Sequence, residues 1–242
     1  MYEIKTDLHV HTNLSDGKLT PSEVVEASTQ LGYKIAVTDH ISPYQKIKDT
    51  ESFDNYLRAL EPFDIHKGGE FCIGFPTEIP ESSFDILDLR IGSMHSLYFG
   101  EGMNFFFWNR SLRFPDIPLF IDKYCRTLIE EINRGFIDII GHPFLLPVFL
   151  WKHPDKESLF PPELLDEIFK AAASNGTAIE VSGRWKTPCP TFVDKALRAG
   201  VKLAFGSDSH NREDLCGLDY CREIISKFGI KESEVYVPDG LI

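Results

Sequence analysis

The sequence predicts an α/β barrel built from parallel β/α units, and three observations lead there. Short apolar runs of strand type alternate with helix-type segments from one end of the chain to the other, the pattern of helices laid over a buried parallel sheet. About seven such runs can be counted, each leading into residues able to carry chemistry. The length, 242 residues, suits one large α/β barrel and is too great for a small disulfide scaffold. No linker, repeat or low-complexity stretch interrupts the chain, so residues 1–242 are expected to form one domain.

The expected strands are Lys5–Val10, Lys34–Thr38, Phe71–Thr77, Ile86–Met94, Phe136–Gly141, Thr177–Val181 and Lys202–Gly206. Between the first two, Thr20 is placed as a helix N-cap, Pro21 as the first helical residue and Glu23 as the partner that completes a capping box, with Gly32 as the stop. Pro161-Pro162-Glu163 opens a segment whose Leu164, Leu165, Ile168 and Phe169 form an apolar face, and Asn175-Gly176 ends it. Phe120–Asn133, Phe192–Ala199 and Cys221–Phe228 are further helices. The stretches Phe105–Trp108 and Pro143–Trp151 are aromatic for loops, which fits core or lid packing as well as an apolar wall for a substrate or a subunit contact.

Composition narrows the class of partner. The 25 Lys and Arg against 37 Asp and Glu leave a net charge of -12, so the surface as a whole repels nucleic acid and anionic membranes. The most apolar region, Phe136 to Trp151, is broken by Asp138, His142, Pro143 and Pro147 and falls short of a membrane span. The five cysteines form no Cys-x-x-Cys pair, and no basic-plus-apolar leader precedes Tyr2 to Val10. Reduced thiols in a soluble, cytoplasmic protein are expected.

The chemistry lies at the strand ends. In Asp7-Leu8-His9-Val10-His11 two imidazoles two residues apart on a strand share a face and can reach one ion. Other strands end in Thr38-Asp39-His40, Thr77-Glu78, Met94-His95, Gly141-His142 and Ser207-Asp208-Ser209-His210, so six of the eight histidines stand at such ends. In an α/β barrel these ends converge on one rim. Imidazoles and carboxylates without cysteine suit zinc, manganese or iron in an open site rather than a closed structural zinc site. The carboxylates Asp16, Glu78 and Asp208 offset only about half of the roughly six positive charges of three divalent ions, leaving a cationic pocket for a small anion. Such ions acidify a water and stabilise the oxygens of an in-line displacement at phosphorus, which points to phosphate ester hydrolysis.

These segments together resemble the PHP family, named for its polymerase and histidinol phosphatase members. The resemblance rests on Asp7-Leu8-His9-Val10-His11, Ser15-Asp16-Gly17, Thr38-Asp39-His40, Glu78, Gly92-Ser93-Met94-His95, Gly141-His142-Pro143 and Gly206-Ser207-Asp208-Ser209-His210, in the family's order and over nearly the whole chain. It implies a distorted (β/α)7, TIM-like barrel and a site for two or three divalent ions. By that analogy His9, His11, Glu78 and Asp208 hold the first ion, Asp16, His40 and His210 the second, and Glu78 bridges to a third held with His95 and His142. The layout is most similar to the histidinol-phosphatase-like branch, although the Phe105–Trp108 segment has no place in that pattern.

Around these residues, Asp7, Asp39 and Glu180 are expected to orient histidines or bond loop amides rather than bind metal. Arg184, just past a strand end, is the candidate to hold phosphoryl oxygens, ahead of Lys186 and Arg212. His66 reads as a surface loop residue and His153 as an ordinary loop histidine; Cys189 and Cys216 lack the partners of a nucleophile. The expected reaction is hydrolysis of a small phosphomonoester, with Asp208 and Arg184 as catalytic residues. Rival readings are a nuclease limited to short oligonucleotides or nucleotides, a protein phosphotyrosine phosphatase, an amidohydrolase, which Asp16, Thr38-Asp39-His40 and Ser207–His210 fit poorly, and a metal-stabilised binding module without turnover. The sequence assigns no oligomeric state.

Overall fold

The protein, described here over residues 2–238, is seen in a computed structural model. In chain order its elements are β1 (Thr6–Val10), α1 (Pro21–Leu31), β2 (Lys34–Val37), β3 (His40–Ile41), α2 (Thr50–Leu60), β4 (His66–Cys72), β5 (Leu89–Ser93), β6 (Ser96–Tyr98), β7 (Asn104–Phe106), α3 (Ile117–Arg134), β8 (Ile139–Ile140), α4 (Pro162–Asn175), β9 (Ala178–Ser182), α5 (Pro190–Arg198), β10 (Leu203–Gly206) and α6 (Asp219–Phe228). The main sheet runs β1-β2-β4-β5-β8-β9-β10 with every neighbour parallel, and β3 pairs with β4. The two ends approach closure where the His11 amide donates to the Ser209 carbonyl at 2.9 Å beside a parallel bridge from Val10 to Ser209. This is the seven-strand barrel the alternating pattern predicts.

Helix boundaries follow from local chemistry. The Thr20 hydroxyl accepts the Glu23 amide while the Glu23 carboxylate accepts the Thr20 amide at 2.8 Å, and Gly32 closes α1 in the left-handed region. Helix α2 lies beyond the helices expected; it is capped by Asp49, whose carboxylate accepts the Ser52 amide at 2.8 Å, and it buries Phe53, Tyr56 and Leu60. That spacing of three and four is the core-facing stripe of an amphipathic helix.

Inside the barrel, Leu8, Ala36, Leu89, Ile91, Ile139, Ala178 and Ala204 form a buried apolar plug. A strand repeats its facing every two residues, so the inward face climbs from Ala178 to Glu180 and Ser182, from Ala204 to Gly206 and Asp208, and from Gly68 to Glu70 and Cys72. The apolar plug thus gives way to polar side chains toward the C-terminal rim. On β1 the register moves from Asp7 opposite Ile35 to Val10 opposite Val37, one residue more than β2 supplies, and a bulge of this kind re-aims side chains next to a site. A larger core packs the helices on the outside of the sheet.

The third expected strand is displaced, and β3, β6 and β7 lie outside the seven expected. The alternating pattern puts the third run at Phe71–Thr77, but β4 covers His66–Cys72. Gly68-Gly69 reads as a turn, yet both glycines are inside the strand because their neighbours leave no room: a Cβ on Gly68 would come within 2.7 Å of Thr38 Cγ2, and one on Gly69 within 2.5 Å of Ile41 Cδ1. His66 is accordingly the first residue of β4, half-buried, rather than a surface loop residue. No helix among the described residues is long and apolar enough to cross a membrane.

Candidate metal centre

At the C-terminal rim, a cavity of about 410 Å³ is lined by Asp16, His40, Glu70, His95, His142, Asp208 and His210. His9 and His11 are buried beneath it, their ring centroids 5.0 Å apart. Glu70 is at the middle. Its Oε1 lies 3.5 Å from His9 Nε2, 3.4 Å from His95 Nε2 and 3.1 Å from His142 Nε2, and its Oε2 lies 2.6 Å from His40 Nδ1 and 3.5 Å from His11 Nε2. Asp208 Oδ1 is 3.2 Å from His11 Nε2 and 3.7 Å from His9 Nε2. Asp16 faces His40 Nε2 at 3.6 Å and His210 Nε2 at 3.3 Å.

Eight of the nine expected ligands therefore meet, namely His9, His11, Asp16, His40, His95, His142, Asp208 and His210, and Glu78 does not. Glu78 sits exposed in a bend beyond β4, outside the cavity. Glu70 stands where Glu78 was expected, because β4 begins earlier than read and turns residue 70 inward. The signal was present as the inward set Gly68, Glu70, Cys72, hidden by the glycine pair.

The donors separate into groups whose ligand atoms lie within 4.8 Å of one another: His11, Asp16, His40 and His210; His9, His11 and Asp208; His40, Glu70 and His95. His9 Nε2, His11 Nδ1 and His142 Nδ1 are buried without a hydrogen-bond partner. An orphaned buried polar atom costs about 1–3 kcal/mol, so three in one cluster call for a further partner. Nitrogen and carboxylate donors of this kind fit divalent zinc, manganese or iron.

The buried carboxylate and imidazoles act strongly on one another. Burial opposes charge on Glu70 most strongly, yet the charges of His40, His95 and His9 hold its carboxyl well below the usual range. Burial likewise works against the charged rings of His40 and His95, but Glu70 holds His40 well above its ordinary value and His95 up to about 9. His11, with its ring centroid 4.5 Å from that of His40, is driven down to about 3 by burial and by the charge of His40. Neighbouring imidazoles in this one buried cluster are thus pulled in opposite directions.

Outer contacts hold the donors in place. His9 Nδ1 is 2.8 Å from Glu180 Oε1, and the His142 amide donates to Glu180 Oε2. Donation from Nδ1–H to Glu180 leaves the His9 Nε2 lone pair facing the cluster. A Cβ on Gly206 would fall within 2.2 Å of Glu180 Oε1 and 2.5 Å of His9 Cβ, so only glycine admits this pair. Asp7 accepts the Ser207 amide at 2.8 Å and the Cys216 amide at 3.2 Å, while Asp39 accepts the Thr12 amide at 2.8 Å and bonds the Ser15 hydroxyl. Both hold the loops that carry ligands. His142 and Asp208 have φ of +25° and +52°, and side chains in this sparsely populated region cluster at functional sites.

Arg184 lines the cavity, its Nη1 donating to the Asp208 carbonyl at 3.0 Å and lying 2.8 Å from His210 Nδ1. Trp185, unanticipated from the sequence, donates its indole N–H to Asp208 Oδ2. His153 bonds within its own loop to the Asp155 carbonyl at 2.8 Å. Burial pushes the Cys189 thiol up to about 11 and raises Cys216 as well, so neither is an activated nucleophile.

The model of the PHP domain family matches residues 7–184. The chain belongs to the PHP domain family. Asp208 and His210 lie beyond the matched span, but the fold returns them to the same cluster. Among curated relatives, the chain is 26% identical over 88% of its length to the DNA polymerase/3'-5' exonuclease PolX of Bacillus subtilis (strain 168), and the match spans 35% of that protein, about a third. It is 25% identical to a probable phosphatase of Thermoanaerobacter sp. (strain X514), over 96% of this chain and 90% of the relative. Among solved structures, the histidinol phosphate phosphatase of Lactococcus lactis subsp. lactis Il1403, complexed with zinc, L-histidinol and phosphate, superposes with a TM-score of 0.68 at 20% identity, covering 98% of this chain and 97% of that one. This last likeness concerns the fold.

Proposed function

We propose that this metal-dependent phosphoesterase of the PHP family hydrolyses a small phosphomonoester at the barrel rim. The observation that carries the proposal is the gathering of eight ligand-type side chains with Glu70 in one cluster, five of the histidines directly on Glu70, at a cavity that also receives Arg184. Its volume of about 410 Å³ falls at the small end of the roughly 300–1,000 Å³ typical of small-molecule sites. A pocket of that size in a protein of net charge -12 suits a small anion better than a polyanionic strand.

His9, His11, Asp208 and Glu70 would hold one ion, Asp16, His40 and His210 a second, and Glu70 with His95 and His142 a third, in place of the Glu78 set. Two or three divalent ions, zinc, manganese or iron, supply at such a site the acidity that turns water into a nucleophile and positive charge for the phosphoryl oxygens. The chain's own residues do the rest. Arg184, whose guanidinium presents donors in a planar fork, binds phosphoryl oxygen and shares the Asp208 carbonyl with His210. Glu180, Asp7 and Asp39 keep the donors from moving when the ester enters. Trp185 pins Asp208 Oδ2, leaving Oδ1 to face His9 and His11.

The test is phosphate release from a panel of phosphomonoesters that includes histidinol phosphate and mononucleotides, alongside short oligonucleotides, with protein loaded with manganese, zinc or iron. Release from a monoester that disappears in Asp208→Ala is the expected result. Preferential cleavage of oligonucleotides would transfer the site to the nuclease reading that the PolX likeness suggests. Full metal occupancy without release from any substrate would leave a binding module.

A further inference from the structure

The aromatic segment Phe105–Trp108, which begins inside β7, resolves into two functions by strand alternation. The hairpin of β6 and β7 follows directly on His95 and pairs Ser96 with Phe106, Leu97 with Phe105 and Tyr98 with Asn104. Phe105 and Phe107 point into the core, where their rings meet Phe120 at 5.3 Å and 5.9 Å. Phe106 and Trp108, on the alternate positions, line the metal cavity instead and are 39% and 41% exposed. Two aromatic pairs face the cavity. Tyr44 meets Phe106 edge-on at 5.7 Å, and Trp108 lies against Trp185 at 5.1 Å. Tyr44 is 59% exposed and its hydroxyl accepts from Asn104 Nδ2 at 3.4 Å, which ties its loop to the hairpin.

The remaining lining has a definite charge character. Beyond the groups assigned to ions and Arg184, the cavity is formed by Ser42, Tyr44, Gln45, Cys72, Ser96 and the three aromatic side chains Phe106, Trp108 and Trp185. None of these carries a carboxylate. An ammonium on the leaving group could draw on an aromatic face, but the Arg184 guanidinium already lies over the Trp185 ring at 5.2 Å and the histidines already engage Asp16, Glu70 and Asp208, so it would meet like charge in the cavity. A planar uncharged ring can pack on the faces and edges of both aromatic pairs.

We infer that the leaving group of this enzyme is a neutral aromatic alcohol, held between Tyr44 and Phe106 on one side and Trp108 and Trp185 on the other. The inference rests on the phosphomonoesterase reading and names the half of the substrate that the ion cluster does not select. Trp108 and Phe106 are specificity-determining residues in it, not catalytic ones, since neither touches Glu70, Asp16 or the histidines in any hydrogen bond or ion pair of the described residues.

The test uses the metal-loaded protein with benzyl phosphate, 2-aminoethyl phosphate, histidinol phosphate and glycerol 3-phosphate. Expected is a kcat/KM for benzyl phosphate at least about tenfold above the other three, with Trp108→Ala and Phe106→Ala each lowering the ratio of benzyl phosphate to glycerol 3-phosphate kcat/KM about tenfold. Equal turnover of all four, or preference for either amine, overturns the inference while the phosphomonoesterase reading stands. A second readout is independent of turnover. The chain's three tryptophans, Trp108, Trp151 and Trp185, contact one another at the rim, so tryptophan fluorescence reports binding of benzylphosphonate and 2-aminoethylphosphonate, which are not hydrolysed. Tighter binding of benzylphosphonate without turnover of any ester sinks the phosphomonoesterase reading and upholds the pocket. Equal binding of the two phosphonates overturns the pocket whatever the turnover.

Discussion

Replacing Glu70 by glutamine removes one charge and almost no volume. The side chain is 1% exposed, and its carboxylate oxygens lie 2.6 to 3.5 Å from ring nitrogens of five histidines. At a separation of about 4 Å and an effective dielectric constant of about 20, one pair of unit charges is worth ~4 kcal/mol. Taken as the loss for a single ion, ~4 kcal/mol corresponds to about three orders of magnitude in affinity. Glu70→Gln should therefore lose at least one ion per chain on dialysis against a weak chelator that the parent protein survives. Its kcat/KM for phosphate release should fall by about 10³. Glu78→Gln, exposed beyond β4, should keep its full metal content and activity within about twofold, as surface substitutions usually do. Elemental analysis after dialysis, with far-UV circular dichroism to verify folding, measures both. Retention of metal by Glu70→Gln together with loss by Glu78→Gln would refute the reasoning and restore the carboxylate expected from the sequence.

Three further outcomes follow from the same contacts. Glu180→Gln weakens the hold on His9 Nδ1 and the His142 amide, so metal affinity or kcat/KM should drop about 10–100-fold; a metal titration showing the parent's affinity, with activity unchanged, would count against a positioning role. Tyr56→Phe deletes a buried hydroxyl that donates to the Val37 carbonyl at 3.1 Å and the Gly68 carbonyl at 2.8 Å, which should cost about 1–2 kcal/mol and be visible as a lower urea midpoint with phosphate release intact. With the Cys189 thiol pushed up to about 11 by burial, only about one molecule in a thousand carries its thiolate at pH 8. Alkylation at Cys189 should then be about a hundredfold slower in the folded protein than in urea and speed up as pH rises toward 11; equal rates at pH 8, read by peptide mass spectrometry, would contradict the assignment.

Much of the arrangement is legible in the sequence, for identifiable reasons. His9, His11, His40, His95, His142, Asp208 and His210 follow apolar runs, and a parallel barrel brings the ends of such runs to one rim. The α1 boundaries were legible because Thr20, Pro21, Glu23 and Gly32 each have a specific end-of-helix role. Glu70 was not, because Gly68-Gly69 carries the local signature of a turn and the contacts that demand glycine there come from Thr38 and Ile41, about thirty residues away. The position of Glu78 next to an apparent strand end then draws the expected carboxylate away from the cavity that Glu70 lines. Phe105–Trp108 was ambiguous for a different reason: both readings hold, alternating residue by residue along β7 and just past it. Helix α2 carries a cap and an apolar stripe, and the contact of its Tyr56 with β2 and β4 is a tertiary fact that local spacing does not display.

The measurement that bears most directly on the metal centre is anomalous diffraction from crystals of the manganese- or zinc-loaded protein soaked with phosphate. Anomalous peaks about 2.0–2.2 Å from the donor atoms of His9, His11, Asp208, Asp16, His40 and His210, with Glu70 ligating at least one ion and phosphate beside Arg184, are what the arrangement predicts. Ions coordinated by Glu78, or a fully folded protein that takes up no ion among these histidines, would contradict it.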